Sequence, residues 1–403
     1  MCSSVEKIVL PQAILGLEYT YKCGLRMKIL FVVEYFPHDD ITGGVEARAY
    51  YLSKYLAENH EVKVICSRQE KQPRESEVNG CKVYRVGRKH PYSHKGNFLS
   101  RLGFVDAAID KGEELEFDIV DGQSFLAYLP AHAIGEMMGV EKVATYHETW
   151  VGEWIQNKGL LTGLGGEFWE RMALGREWDR IISVSEFTKD RLVEHGVGRG
   201  SIEVVPNGVE LSEFYEVEVE GFDRPTVCTV SRLTEKKRVG FAMRAFEKVT
   251  DEVPQVQMKV VGDGPERERL EDLSEELDAD IELLGYLPDR DDVIRVMKGS
   301  RIYVSASVLE GFGMSVIETA ASGTPYVVSD IGPHVEVTRG EKGGFVFEKD
   351  RERDLSGKIL RLLTDEDMYG EKKNECFELA RYYDWREINE KLESVYSKAL
   401  EKN

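Results

Sequence analysis

No apolar run in this 403-residue chain approaches the length of about eighteen residues that a membrane-spanning helix requires. No C-x-x-C pair occurs either. The six cysteines, Cys2, Cys23, Cys66, Cys81, Cys228 and Cys376, are scattered, which argues against a zinc site and a dense disulfide framework and fits a reducing cytosol. Positive charge is scarce: 53 lysines and arginines face 73 acidic residues, a formal net of -20. A nucleic-acid binder needs a basic footprint, and the chain as a whole lacks one. What remains is a globular composition, 42% hydrophobic and 31% charged, in a chain long enough for two domains of ordinary size.

Residues 1–26 stand apart from the rest. "IVLPQAILGL" is apolar but broken by Pro11 and Gln12, has no strongly basic lead-in and no clear small-residue cleavage site after it, so it does not read as a signal peptide. "MKILFVVEYFP" reads as a first strand, which makes Met27 the expected natural start and residues 1–26 an N-terminal extension that the natural protein need not contain. Short apolar runs without strict alternation then recur, as parallel strands covered on both faces require. They are "KILFVVEYF" (28–36), "EVKVICS" (61–67), "KVYRVG" (82–87), "FDIVDGQ" (117–123), "KVATYHE" (142–148), "RIISVSE" (180–186) and "IEVVPNG" (202–208). Helical stretches such as "VEARAYYLSKYLAEN" (45–59) intervene. After the Asn207-Gly208 turn an acidic spacer (210–225) interrupts the alternation, which resumes with "PTVCTVSRL" (225–233), "VQMKVVGDG" (256–264), "IELLGYL" (281–287), "RIYVSAS" (301–307) and "TPYVVSD" (324–330). The pattern predicts two α/β domains with open, mainly parallel sheets, and ligands of such sheets bind at the carboxyl ends of the strands.

"SASVLEGFGMSVIETAASGTPYVVSD" (305–330) sets Glu310 and Glu318 eight residues apart around a Gly-Phe-Gly turn. A strand ending at about Leu309 and a helix from about Met314 would leave N–H groups exposed at a helix start, which attracts phosphate. Gly311 and Gly313 let a ligand approach the backbone, and Glu318 shares a helix face with Ser315 and Ser322. One carboxylate suits the vicinal hydroxyls of a ribose and the other a sugar's hydroxyls; on spacing alone, two solvated glutamates are an equal reading. In "VSRLTEKKRVGFAMRAF" (230–246) Arg232 leaves a strand and Lys237 opens a helix, a pair able to neutralise a diphosphate without a metal, although surface charge at a helix end is the commoner role of such residues. Gly43 and Gly44 precede a helix and offer a second oxyanion nest, weak evidence alone. His147 ends a strand, where its imidazole either reaches across a cleft or serves structure. "VVGDGPERERL" (260–270) contains a G-x-G, but Arg267 occupies the third glycine position of the dinucleotide fingerprint. Asp289-Arg290-Asp291 mimics a metal-binding D-x-D and is better explained as a helix cap.

The succession "TGGVE", "TYHE", "VSEFTKDRL", "VVPNGVE", "SRLTEKKRV", "VVGDGPERERL", "LGYLPDRDDV" and the E-x7-E element spans nearly everything from Met27 on. It resembles glycosyltransferase family 4, with the GT-B fold. The resemblance implies two Rossmann-like domains facing across a cleft, residues 27–205 for the acceptor and 206–384 for a nucleotide sugar, with a last helix (385–403) crossing back to the first domain. It implies transfer of a hexose-type sugar from a nucleoside diphosphate with retained anomeric configuration, no essential metal, and no cofactor beyond the donor substrate. In this sequence Glu310 would sit by the donor sugar, with the N–H groups of Gly311, Phe312 and Gly313 on its hydroxyls and Met314 opening the helix beside it. Glu318 would hold the ribose, Arg232 and Lys237 would stabilise the departing diphosphate, His147 would approach the reacting sugar, and Gly43 and Gly44 the phosphates or the acceptor. Three departures stand out: Glu210 replaces a usual aspartate, Thr149 varies the histidine segment, and Pro333-His334 alters the "SDIGPHVEV" loop near the donor.

These readings converge on a cytoplasmic retaining glycosyltransferase whose acceptor is a glycan, a lipid-linked or small molecule, or a phosphate-bearing one. Two rivals are a nucleotide-sugar epimerase of similar shape, which releases free sugar products without an acceptor, and a non-catalytic module that binds the nucleotide sugar. The E-x7-E element with His147 speaks against the first; the presence of Glu310, Arg232, Lys237 and His147 together speaks against the second. One segment reverses the local charge: "RVGRKHPYSHKGNFLSR" (85–101) carries Arg85, Arg88, Lys89, Lys95 and Arg101 with no acid. With the apolar "VGEWIQNKGLLTGLGGEFW" (151–169) it suggests a rim for peripheral contact with an anionic membrane, set against the plain reading of a solvated loop.

Overall fold

The computed structural model describes residues 26–37, 43–69, 72–89 and 98–401; most of the N-terminal extension and Lys95 of the basic segment lie outside them. The first sheet contains β1 (Lys28–Val32), β2 (Glu61–Ser67), β3 (Glu75–Val78), β4 (Cys81–Val86), β5 (Ile119–Gly122), β6 (Glu141–Tyr146), β7 (Arg180–Ser183) and β8 (Ile202–Val204). They lie in the order β3-β4-β2-β1-β5-β6-β7-β8, parallel except for β3, which pairs antiparallel with β4. Helices α1 (Gly44–Leu56), α2 (Phe98–Glu113), α3 (Tyr128–Met138), α4 (Trp154–Lys158), α5 (Leu160–Leu174) and α6 (Glu186–Glu194) surround it. The second sheet orders β9 (Thr226–Val230), β10 (Gln257–Val261), β11 (Ile281–Gly285), β12 (Ile302–Ser305), β13 (Tyr326–Ser329) and β14 (Gly344–Phe347) as β11-β10-β9-β12-β13-β14, all parallel. Its helices are α7 (Leu211–Glu216), α8 (Val239–Thr250), α9 (Arg267–Glu276), α10 (Arg290–Gly299), α11 (Met314–Ala321), α12 (Gly332–Val337), α13 (Glu352–Thr364) and α14 (Glu366–Tyr382), before a final α15 (Trp385–Leu400).

The unbroken apolar runs follow from two-sided burial. Leu30 and Val32 of β1 pack with Phe104, Ala108 and Ile134 on one face, while Ile29 and Phe31 pack with Leu52, Leu56 and Val64 on the other. Strand alternation thus carries successive residues into different cores, and both must be apolar. The same two-sidedness holds in the second sheet, where Val227 and Val304 enter one core and Cys228 and Tyr303 the other. Two strands, β3 and β14, were not expected from the sequence; β3, "ESEV", lies at the sheet edge with a largely polar sequence and so lacks the apolar run that marks the others.

That alternation also corrects the basic rim. Arg85 falls on the inward face of β4 with Cys81 and Val83, is buried, and donates to Ser76 Oγ at 2.7 Å. Arg101 is paired with the buried Glu34. Of the five cations expected to face solvent together, Arg88 and Lys89 are the exposed ones among the described residues.

The terminal helix α15 covers the face of the first sheet that α1 leaves open. Val209 and Asp384 form an isolated parallel bridge at the crossing, Asp384 caps α15 by accepting from Arg386 N, and Trp385 stacks on Tyr51 with ring centroids 5.7 Å apart. Gly208 admits this indole, since a Cβ there would lie 2.7 Å from the Trp385 ring. Ile388, Leu392, Val395 and Tyr396 complete the core shared with α1, β1 and β2. The Tyr396 hydroxyl donates to the buried Asp121 at 2.6 Å. Because Leu392 is fully buried, Leu392→Ala is expected to cost about 2–5 kcal/mol in chemical denaturation; a loss below about 1 kcal/mol would mean that α15 is not integral to the first domain.

Candidate active site

Strand order fixes where a ligand can enter. In the second sheet the connections run outward from β9 in one direction and from β12 in the other, so a crevice opens beyond the carboxyl ends of these two neighbours. The loop after β9 carries Arg232 and Lys237; the loop after β12 carries Glu310 and the Gly311-Phe312-Gly313 turn. Residues about seventy apart in sequence are thereby brought together, and Val308 N joins the loops by donating to Lys236 O at 2.9 Å. The strand ends at Ser305 rather than near Leu309, because the chain leaves the sheet to make this loop-to-loop contact. Glu310, expected at a strand tip, sits in the middle of the turn, where its Oε1 lies 2.5 Å from Lys237 Nζ. Burial raises the pKa of this carboxyl, but the Lys237 ammonium, with smaller contributions from His334 and a Ser307 hydrogen bond, holds it below the usual range.

The G-x-G of "VVGDGPERERL" has its own use here. Gly262 has φ +134°, and a Cβ on it would fall 1.8 Å from Ser231 O; only glycine lets this turn lie against the Arg232 loop. Leu233 N and Glu266 N complete the seam by donating to Asp263 O and Leu233 O. Across the crevice Gly313, at φ +102°, begins α11, and Phe312 anchors the turn by burying its ring edge-on against Tyr383 at 5.7 Å. Ser315 accepts from Tyr303 OH at 2.8 Å. Glu318, one turn into α11, pairs with Arg290 at 2.7 Å, and Arg290 also lies 3.5 Å from Glu213, which accepts from Tyr51 OH. Asp289 does cap α10, accepting from Asp291 N at 2.9 Å. Nothing local to the Asp289-Arg290-Asp291 tripeptide reveals that Arg290 faces Glu318.

The first domain meets these loops closely. A Cβ on Gly44 would lie 3.6 Å from Met314 Cγ, so the start of α1, capped at Gly43, faces the start of α11. His147 follows β6, and its main-chain carbonyl, not its imidazole, makes the close approach: a Cβ on Gly311 would sit 3.0 Å from it. The imidazole bonds to the Gln123 main chain, and burial, then Arg48, lower its pKa to about 3, leaving it neutral. Further polar links join the domains at the cleft's edges. Lys236 donates to Asn157 Oδ1 at 2.6 Å, and Glu336 of α12 accepts from Glu186 N and Phe187 N at the start of α6. The unusual Glu210 is held by Tyr55, Lys54 and Ser212 at 2.5, 3.2 and 2.7 Å, reach that a longer acid provides. Among the described residues no three His, Cys, Asp or Glu side chains converge as a metal-binding group, and no helix is long and apolar enough to cross a membrane.

His334, the second departure in the "SDIGPHVEV" loop, is fully buried beneath Gly313, 3.4 Å from the position of a Cβ there. Ser329 donates its hydroxyl to Ser307 O at 2.5 Å, so Nδ1 must be the donor toward Ser329, 3.1 Å from Oγ and 3.2 Å from O. Burial lowers the pKa to about 4. The folded-state value therefore lies below the unfolded value of about 6.5, so the associated stability is present above pH 6.5 and declines as pH falls toward 4. His334→Asn, whose amide can keep the Ser329 bond, is expected to flatten the fall in melting temperature between pH 6.5 and 5; an unchanged slope would show that other groups set it.

Comparison with known proteins agrees with this geometry. Residues 42–213 match the description "Glycosyltransferase Family 4" and residues 214–381 "Glycosyl transferases group 1". An uncharacterized glycosyltransferase of Methanocaldococcus jannaschii is 26% identical over 93% of this chain and 99% of its own. A phosphatidylinositol N-acetylglucosaminyltransferase subunit from Arabidopsis thaliana is 26% identical over 93% and 83%. Phosphatidyl-myo-inositol mannosyltransferase of Mycolicibacterium smegmatis is 25% identical over 89% and 90%. Among solved structures, sucrose-phosphate synthase from Thermosynechococcus elongatus superposes with a TM-score of 0.78 at 19% identity over 93% of this chain and all of that one. HepE of Anabaena in complex with UDP-glucose superposes at 0.68 and 16% over 93% and 100%. Two sheets with their carboxyl ends toward one crevice, and family matches that together run from residue 42 to 381, make this chain a glycosyltransferase of family 4 with the GT-B fold.

Proposed function

We propose that the enzyme moves a hexose-type sugar from a nucleoside diphosphate to an acceptor on the first domain, with retained configuration and without a metal. The observation that carries this is the Lys237–Glu310 pair at the β9–β12 crevice, which joins the loop that bears Arg232 and Lys237 to the loop that bears Glu310, opposite the start of α1. Glu310 and Glu318 each hold a cation in reach, Lys237 and Arg290. On donor binding Lys237 turns to the diphosphate, leaving Glu310 to accept from sugar hydroxyls, while Glu318 takes the ribose hydroxyls in place of Arg290. As the bond between the anomeric carbon and the diphosphate breaks, negative charge grows on the leaving oxygen, and Arg232, Lys237 and the N–H groups at the helix starts stabilise it. The acceptor hydroxyl attacks from the same face and passes its proton to that oxygen, so the diphosphate serves as base. Neutral His147 presents no charge of its own to the sugar. HepE with UDP-glucose supports a nucleotide-sugar donor.

Turnover of a panel of nucleotide sugars with sugar, lipid and phosphate acceptors tests the reading; hydrolysis or isomerisation alone would favour the epimerase, and binding without turnover the inert module. Activity is expected to survive EDTA. Arg232→Ala and Lys237→Ala should each lower kcat by roughly a hundredfold; complete loss in EDTA restored by manganese, or changes confined to KM, would contradict the metal-free clamp.

The phosphatidylinositol transferases among the relatives support a lipid-linked acceptor. So does an apolar face on α5, where Leu160, Leu161, Leu164 and Phe168 are exposed, Leu161 to 88%. We assign this face to peripheral contact with an anionic membrane. Vesicle sedimentation is expected to fall when Leu161 and Phe168 are changed to serine; equal binding by the double variant, or none by the natural chain at low salt, would leave a soluble acceptor.

A further inference from the structure

Between the donor clamp and the exposed face of α5 lies a pair of ammonium groups that share one indole. Trp150 follows β6 closely, with its main-chain N–H donated to Glu170 and its ring packed on Trp154 at 5.0 Å. Trp154 is fixed in turn by Phe125, 4.6 Å away, and by its own bond to Glu170. Over this braced indole stand Lys158 of the first domain, 5.2 Å from the ring centroid, and Lys236 of the second, 5.5 Å. Lys236 is held there by Asn157. Three other cations of the region are paired with carboxylates: Lys237 with Glu310, Arg290 with Glu318 and Glu213, Arg101 with Glu34. Lys158 and Lys236 form no ion pair among the described residues. Glu148 is the nearby acid whose charge both lysines influence, and Arg101, Lys236 and Arg232 all press on Lys158.

Two like charges drawn to one ring, in a chain of net charge -20, leave a local excess of positive field. Cation–π attraction to the ring holds them in place without cancelling that charge. An anion between them would remove the repulsion and gain two charge-assisted hydrogen bonds. The position points to the acceptor side. Lys236 adjoins Lys237 in sequence but turns away from Glu310 toward Asn157 of α4, and Lys158 ends the helix that leads into the apolar face of α5.

We propose that Lys158 and Lys236, seated on Trp150, are the subsite for a phosphate group carried by the acceptor, free or as a lipid headgroup. The word acceptor rests on the glycosyltransferase reading; the anion site does not. Because the lysines come from different domains, an acceptor phosphate also bridges the cleft, so its binding and domain closure favour each other.

The test is titration of the full chain, saturated with UDP or GDP to fill the donor clamp, with glycerol 3-phosphate and with glycerol, beside sedimentation with phosphatidylinositol and with phosphatidylcholine vesicles. Lys158→Gln and Lys236→Gln keep length and, at 236, the means to bond Asn157. The natural chain should bind glycerol 3-phosphate and not glycerol, and the double variant should bind it at least about tenfold more weakly, with the affinity falling as salt rises. Lysine-dependent capture by phosphatidylinositol vesicles alone would assign the phosphate to a lipid. Equal binding of glycerol, or phosphate binding indifferent to both substitutions, or no binding in either arm, overturns the subsite. Failure of UDP and GDP to bind would instead sink the donor reading, and lysine-dependent phosphate binding would survive it.

Discussion

A parallel sheet must be covered on both faces, and in the first domain the chain's own early helices do not suffice. On one face α2 and α3 close the core around Leu30 and Val32; on the other α1 is joined by α15, which arrives from the far end of the sequence. Trp385 against Tyr51, the Val209–Asp384 bridge and Tyr396 on Asp121 are consequences of that need. Because α15 is fastened to the first domain and follows directly on the second, the two sheets are held with their carboxyl ends toward a common cleft. The start of α1 then meets Met314, and the His147 carbonyl meets Gly311.

Charge in that cleft is arranged in pairs. Glu310 with Lys237 and Glu318 with Arg290 set carboxylate acceptors beside cationic donors, each neutralising the other; in the proposed reaction the donor substrate exchanges these partners. A buried carboxylate without its cation would be costly, so pairing keeps the site charged and ready in the apolar surroundings of Phe312 and Tyr303. The relay from Glu318 through Arg290 and Glu213 to Tyr51 runs from the second domain's crevice to the helix whose N-terminus faces it. Lys158 and Lys236 depart from this pattern, both standing over the Trp150 ring without an ion pair among the described residues.

Burial keeps the two histidines nearest the turn neutral. His147 and His334 have pKa values lowered to about 3 and about 4, so neither adds a positive charge to the region where the clamp already concentrates it. His334 lies under Gly313 with its Nδ1 hydrogen committed to Ser329. The "SDIGPHVEV" departure thus changes the floor beneath the Gly311-Phe312-Gly313 turn rather than its surface.

The strands, their two-domain grouping and the glycine-bearing turns were legible in the sequence because each leaves a local mark: two-sided burial demands unbroken apolar runs, and the backbone conformation of Gly313 favours glycine. The residues brought to the crevice were legible for the same reason, as Glu310, Glu318, Arg232 and Lys237 stand beside strand ends and helix starts. Local pattern could not decide pairing. That β12 would end at Ser305 to let Val308 reach Lys236, that Arg290 would face Glu318, or that Arg85 and Arg101 would turn inward depends on neighbours distant in the chain. Nor could it bring Lys158 and Lys236 to one indole from opposite domains. Composition and periodicity specify which faces must be buried; only the closed tertiary arrangement decides which charges are left facing one another, because electrostatic partnership depends on distance in space and leaves no period in the sequence.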